Sequence, residues 1–311
     1  MKGILETRVV TIPLRHRFRG VTERHAVLLR GEAGWGEFSP FAEYQPPVTS
    51  RWLKAAVEAA THPFPLPRRQ SVLVNVTVPE VDPETAARLV TESGCRTAKV
   101  KVGSDVSADW NRVGAVRDAL GPEGLIRIDV NGGWDVGTAR IRIATLSQFG
   151  LEYVEQPVAS FEEMTELRRH VDVPLAADEL VRSGTPPERI SEAADLVVIK
   201  AQPLGGIEES LSLVERTGLP AVVSSALETS VGLAQGVALA AALPELARAC
   251  GLGTGLLLGG DVGDEPLLPE QGSITTRRVI PSPDLMARWA ATPAVQRTML
   301  LRLEAASEAM H

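Results

Sequence analysis

Cysteine is almost absent. Cys95 and Cys250 are the only two in 311 residues, far apart and without zinc-type spacing, which excludes a disulfide scaffold and a cysteine-held metal. Such a pair fits a reducing compartment, and a cytoplasmic location is expected. Basic charge is also short. With 32 Lys and Arg against 39 Asp and Glu the formal net charge is −7, so no phosphate-neutralising surface and no nucleic-acid partner are expected; the short cluster Arg15–Arg19 reads as a loop feature. No apolar run is long enough to span a bilayer, and no membrane contact is expected. The longest run, Val231 to Leu243, contains Gln235 and reads as a buried helix. The N-terminus lacks the charged-then-apolar pattern of a signal peptide. All five histidines (His16, His25, His62, His170 and His311) fall away from the ends of the expected strands, which argues against a soft-metal centre.

Lysine is the most informative scarcity. It occurs at positions 2, 54, 99, 101 and 200 only, and arginine supplies the other cations. Arginine cannot act as a base at neutral pH, so lysines kept in the interior of the chain are candidates for chemistry.

An apolar content of 44% suffices for a large core. From about residue 72, short β-branched runs alternate with helical patterns. The runs are Val72–Val78, Thr97–Val102, Ile126–Val130, Leu151–Glu155, Leu175–Asp178, Leu196–Lys200, Ala221–Ser225 and Gly255–Gly259. Eight strands alternating with helices predict a parallel α/β barrel, a TIM barrel over 72–275. An open doubly wound sheet would need a Gly-rich turn after the first strand, and Val78–Asp82 is not one. Residues 1–71 read differently, as a small antiparallel sheet, a helix over Arg51–Ala60 and a Pro-rich linker at Pro63–Pro67. The tail, 276–311, ends in a helix from Pro293 to Met310 and is expected to pack back on the N-terminal domain.

Placing the polar residues on these strands brings out a pattern. Lys99 and Lys101 share one side of the second strand. Asp129, Glu155, Asp178, Lys200 and Ser224–Ser225 end the third to seventh. Steps of 22 to 28 residues separate them, one βα unit each, so all reach the C-terminal mouth where barrel enzymes work. A salt bridge explains any one carboxylate alone; six ionisable groups in one register do not reduce to that. Three carboxylates in one mouth call for a cation, and all-oxygen ligands suit Mg2+. Asn131 and Gln156 could equally satisfy loop backbone groups, and Glu179 could be structural or could back the ligands. Gly205–Gly206 reads as a turn and helix start.

Lys99-Val-Lys101, Asp129-Val-Asn131, Glu155-Gln-Pro157, Asp178-Glu179 and Lys200 together resemble the enolase superfamily, in its muconate-lactonizing-enzyme subgroup. The resemblance implies a modified, (β/α)7β-like barrel with an N-terminal α+β capping domain completed by the C-terminal tail. It implies Mg2+ on Asp129, Glu155 and Asp178, with Lys101 and Lys200 as catalytic groups on opposite faces of a small carboxylate substrate. A proton next to the carboxylate would be removed by a neutral lysine.

Within the subgroup the chain resembles most the o-succinylbenzoate synthase family of actinobacterial type. The residues that carry this are Arg127-Ile-Asp129, Ser224–Ser230, Gly253-Thr254-Gly255 and Leu258–Asp261. The implied activity is dehydration of 2-succinyl-6-hydroxy-2,4-cyclohexadiene-1-carboxylate to 2-succinylbenzoate, in menaquinone biosynthesis. Ser225 and Gly253–Gly255 would hold the succinyl tail with Ser224 nearby, Lys99 and Asn131 would adjoin the substrate, and Arg127, Gln156 and Glu179 would back the ligands. The chain departs from many relatives at Leu180, where they carry serine, and in the lid loop over His16–Glu23. An N-acylamino-acid racemase and a dipeptide epimerase remain alternatives, although Gly263 stands where an epimerase carries the second Asp of an Asp-x-Asp pair. A non-catalytic barrel would have lost a ligand or a lysine, and none is lost. The oligomeric state is not legible.

Overall fold

The computed structural model describes residues 2–310; Met1 and His311, the ends of the two segments expected to form the capping domain, lie outside the described residues. The chain opens with an antiparallel sheet of β1 (Glu6–Phe18), β2 (Val21–Arg30) and β3 (Trp35–Phe38). Helix α1 (Val48–Thr61) lies across it and buries Trp52, Leu53, Ala56 and Ala60. The approach is close: a Cβ on Gly36 of β3 would stand 1.9 Å from the Ala56 carbonyl oxygen.

The segment expected as a lid loop, His16–Glu23, is instead the tip of the β1–β2 hairpin, with Phe18 paired to Val21. Leu14, His16 and Phe18 turn inward while Arg15 and Arg17 are exposed. That is a strand's period of two, hidden in the sequence by the density of arginine.

The expected strand Val72–Val78 is divided between two sheets. β4 (Ser71–Leu73) pairs antiparallel with the late strand Ser273–Thr275, and β5 (Val76–Val78) begins the parallel sheet. The sheet continues through β6 (Thr97–Lys101), β7 (Leu125–Asp129), β8 (Leu151–Glu155), β9 (Leu175–Ala177), β10 (Leu196–Ile199) and β11 (Ala221–Val223), each pairing with its predecessor. Helices α2 (Pro83–Ser93), α3 (Val106–Leu120), α4 (Val136–Leu146) and α5 (Phe161–Arg168) cover the first crossovers. Asp82, Asp105, Asp135 and Ser160 cap them, each accepting a backbone N–H three residues on, which satisfies a donor the helix leaves open. After β9 the alternation lapses. Two 3-10 turns, Glu179–Arg182 and Pro187–Glu192, replace a helix, because Gly184, Pro186 and Pro187 interrupt the segment. Helices α6 (Ala201–Leu204), α7 (Ile207–Thr217) and α8 (Ser230–Ala242) follow.

The eighth strand is not where the sequence suggested. Gly253–Leu257 is a 3-10 helix. The barrel is closed by Cys250 and Gly251, which bridge in parallel to Val74 and Ser224. The apolar run Leu256–Leu258 has strand-like composition, but Gly253 before it is pressed on the first strand, where its Cβ would lie 2.4 Å from the Asn75 carbonyl oxygen. The chain then forms β12 (Ser273–Thr275), α9 (Pro283–Arg288) and α10 (Pro293–Glu308). From α10, Arg302 donates to the carbonyls of Pro40, Phe41 and Tyr44 at 2.8 to 3.1 Å, which ties the tail to the N-terminal sheet. Among the described residues no helix is long and apolar enough to cross a membrane.

Candidate active site

Strand register sets the geometry. Lys101, Asp129 and Glu155 are aligned partners at the C-terminal ends of β6, β7 and β8, and Lys99, Arg127 and Tyr153 form the layer beneath. Asp178, Lys200 and Ser224 directly follow β9, β10 and β11. Lys99, Lys101, Asp129, Glu155, Asp178 and Lys200 are all buried, so the six groups expected from spacing do meet. The order of the strands puts Lys101 and Lys200 on opposite sides of the mouth, and both line one narrow cavity.

The charges pair closely. Lys99 Nζ donates to Asp129 Oδ2 and to Glu155 Oε1, each at 2.9 Å. Lys101 Nζ donates to Asp129 Oδ2 and Asn131 Oδ1, each at 2.6 Å. Lys200 Nζ donates to Asp178 Oδ2. Burial works against charge on Lys99, Lys101 and the three carboxylates, and neighbours decide the direction. At Lys99, burial is outweighed by Asp129 and Glu155, and the pKa is raised well above a free lysine. At Lys101, burial and the Lys99 charge prevail over Asp129 and Glu155, and the pKa falls. Asp129 is held well below the carboxylate range: burial opposes, but Lys101 and Lys99 overcome it. At Asp178 burial is likewise overcome, by Lys200 and Arg182. Glu155 is the exception, pushed up to about 7 by burial and then by Asp129, with Asp178 adding to it.

Glu155 also keeps a buried Oε2 with no hydrogen-bond partner among the described residues. A carboxylate that is short of positive charge, with an unused oxygen beside two others, is a donor set for a hard divalent cation. Among the described residues no three His, Cys, Asp or Glu side chains close on a common point. Lys99 stands between Asp129 and Glu155, and Lys200 holds Asp178. The residues fit Mg2+ by their chemistry, with lysines supplying the counter-charge in this arrangement.

The supporting residues fall into place unevenly. Gln156, at φ 39°, accepts the N–H groups of Asp178 and Leu180 at 3.0 and 3.1 Å and donates to the Val158 carbonyl, so it aims Asp178. Asn131 donates to Glu179 Oε1 at 3.1 Å and links that carboxylate to Lys101. Arg127 does not back the carboxylates. It bonds Glu152, Asn75 and the Ala249 carbonyl and lies over Tyr153 at 4.8 Å, because it is one layer down, where it plugs the barrel floor. Ser224, Ser225 and Thr254 line the cavity. Gly253 and Gly255 serve as close-packing positions against Asn75, Leu267 and Leu268.

Several residues escaped the sequence reading. Arg182 donates to Asp178 at 3.2 Å and to the Tyr44 hydroxyl at 3.1 Å, and so connects this buried carboxylate to the N-terminal domain. Phe18 and Arg19 close the cavity from the hairpin tip, joined by Phe41 and Thr77; the Phe18 ring lies 5.5 Å from Lys101 Nζ. Continuing the β1 alternation through Phe18 is the one signal that could have placed the tip.

The Enolase C-terminal domain-like family model matches residues 82–281, and the Enolase N-terminal domain-like model matches residues 9–60. The chain is 57% identical to the o-succinylbenzoate synthase of Thermobifida fusca (strain YX), over 97% of this chain and 96% of that one. It is 46% identical to the o-succinylbenzoate synthase of Mycolicibacterium smegmatis, over 94% and 92%. Among solved structures, the N-succinyl Arg/Lys racemase from Bacillus cereus superposes with TM-score 0.79 at 22% identity, covering 93% of this chain and 98% of that one. The muconate lactonizing enzyme from Pseudomonas fluorescens gives 0.77 at 19%, covering 93% and 99%. At such identities these two likenesses speak for the fold alone.

Proposed function

The chain belongs to the enolase superfamily and, within it, to the o-succinylbenzoate synthases, and from that premise we propose that it dehydrates 2-succinyl-6-hydroxy-2,4-cyclohexadiene-1-carboxylate to 2-succinylbenzoate, a step of menaquinone biosynthesis. The observation that carries this reading is 57% identity to such a synthase over 97% of the chain. The buried set of three carboxylates and three lysines supports it.

Asp129, Glu155 and Asp178 would hold Mg2+, which when bound supplies positive charge to the ring carboxylate as the neighbouring carbon becomes acidic. Lys101 takes the proton from that carbon. Its pKa is lowered, and Asn131 orients it at 2.6 Å. The C–O bond to the neighbouring hydroxyl then breaks, and Lys101 returns its proton to that oxygen, which leaves as water. One face of the ring handles both events, so the loss is syn, and the ring becomes aromatic. Lys200, across the mouth, acts as a fixed cation toward the charge that develops. Lys99 stays charged between Asp129 and Glu155.

A racemase is the second reading, because both faces of the cavity carry a lysine. An epimerase is disfavoured: the Asp261 carboxylate already accepts from Ser230 Oγ at 2.7 Å and from Val262 N at 2.7 Å, so it is not free to hold a substrate ammonium. The test is an ultraviolet assay with the cyclohexadiene substrate, with and without Mg2+, beside racemisation of N-succinyl amino acids. Formation of the aromatic product, lost with a chelator and restored by Mg2+, is expected. No dehydration beside efficient racemisation would overturn the reading.

A further inference from the structure

The proposed substrate carries two carboxylates, and the structure leaves the second without an obvious receptor among the hydroxyl groups expected to hold it. Ser225 is fully engaged. Its one proton goes to the Glu228 carboxylate, and its lone pairs take Thr254 Oγ1 at 2.7 Å and Leu227 N at 2.8 Å. A serine hydroxyl offers one donor and two acceptor sites, so nothing remains. Thr254 spends its proton on Ser225, and Ser224 directs its own toward the Gly251 carbonyl at 3.3 Å. Glu228, buried directly behind, repels any anion brought to this side. The three lysines of the cavity are each bound to a buried carboxylate.

Among the described residues one cation in the cavity wall remains uncommitted to a buried carboxylate. Arg19 lines the mouth from the hairpin tip. Among the described residues its only ion pair is a loose one, 3.6 Å to Glu43, whose side chain is 54% exposed. Its guanidinium lies 4.8 Å over the Phe41 ring, and its backbone is held at φ 48° by the tight turn. The other groups facing it are Glu179 and the Tyr44 hydroxyl, which is close enough to accept from it and also takes Arg182. Glu179 is itself engaged by Asn131 and Arg182. Resting on the dehydratase reading, we propose that Arg19 receives the tail carboxylate of the substrate and so selects dianions over monoanions. A guanidinium offers the paired donors that a carboxylate accepts side by side. Arg19 would exchange the exposed Glu43 for the ligand, with Phe41 keeping its plane.

The test uses the whole chain with two probes, 2-succinylbenzoate and the same molecule with its tail carboxylate converted to the primary amide. Calorimetry with Mg2+ present should show the wild type binding the dianion more tightly than the amide. Arg19→Met should weaken the dianion roughly ten- to a hundredfold, the size of a charge-assisted hydrogen bond, and leave the amide unchanged. Arg19→Lys should restore part of the difference. With substrate, KM should rise more than kcat falls. Arg19→Met with the dianion-to-amide ratio intact and folding unaltered would overturn the assignment while the dehydratase stands. A wild type that binds neither probe and turns over no substrate would sink the dehydratase reading, and Arg19 with it.

Discussion

Lys101 and Lys200 are both buried lysines paired to a carboxylate, yet their environments assign them different work. Lys101 shares Asp129 with the permanently charged Lys99, and its pKa is lowered; Lys200 has Asp178 as its partner. A syn elimination needs a base on one face only. Lys101→Ala should therefore remove essentially all dehydration, a loss of at least 10²- to 10⁴-fold on the scale of general acid–base catalysis, roughly. Lys200→Arg keeps a cation and should retain more dehydration than Lys200→Ala, while any racemisation vanishes in both. Steady-state rates on the four proteins check this; near wild-type dehydration by Lys101→Ala would refute the roles. The residues behind this prediction were legible because ionisable groups on a buried strand cannot be hidden: one per βα unit is a register. Arg182 and Tyr44 were not, because their role depends on two segments 138 residues apart meeting at a 3.1 Å bond. Arg127 misled for a related reason. Two residues before Asp129 on β7, it faces the same side, but one layer lower it meets Tyr153 and Glu152 instead of the carboxylates of the mouth.

At the scale of elements, period-two and βα spacing located the middle strands well, and where they failed the cause was local. The run Val72–Val78 carries Asn75 at the break between its two strands, but one polar residue in an apolar run does not announce a change of partner, which β12 reveals. The eighth strand shrank to two bridges because parallel closure needs only Cys250 and Gly251 to reach their neighbours. Close packing of α1 on the antiparallel sheet is equally invisible in the sequence, and it yields a test. A methyl group on Gly36 would enter the Ala56 carbonyl at 1.9 Å, and since that atom belongs to a helix backbone it cannot swing aside. Gly36→Ala should force α1 off β3 and cost more than about 3 kcal/mol, beyond the usual range for overpacking. Chemical denaturation would measure it. A loss under about 1 kcal/mol would mean that α1 and β3 are further apart than described.

The molecule as a whole depends on how the N-terminal sheet seats on the barrel, and one buried carboxylate sits at that seat. Glu37 of β3 receives Ser39 Oγ at 2.7 Å, Thr229 N at 3.1 Å, Thr229 Oγ1 at 2.5 Å and Gly232 N at 3.1 Å. It therefore caps the start of α8 from the other domain, where a negative charge is favoured by the helix. These donors stabilise the ionised form, but burial outruns them, Glu228 adds repulsion, and the Glu37 pKa is pushed up to about 7 from 4.5. The sign follows from linkage. A folded-state pKa above the unfolded one means that the folded chain holds the proton more firmly. The stability this contributes is complete below pH 4.5 and is lost as pH rises through 7. A displacement of that size corresponds to about 3 kcal/mol at most. Glu37→Gln cannot titrate and gives up one acceptor oxygen, so it should carry a constant penalty with no pH slope from this site. The stability of the wild type minus that of Glu37→Gln, from urea unfolding between pH 4.5 and 8, should therefore shrink as pH rises. Carboxylates of the barrel mouth titrate alike in both proteins and cancel in the difference. A difference that stays flat across that range would show that Glu37 is ionised throughout, with its donors prevailing over burial and the sheet seated on the barrel by a permanent charge.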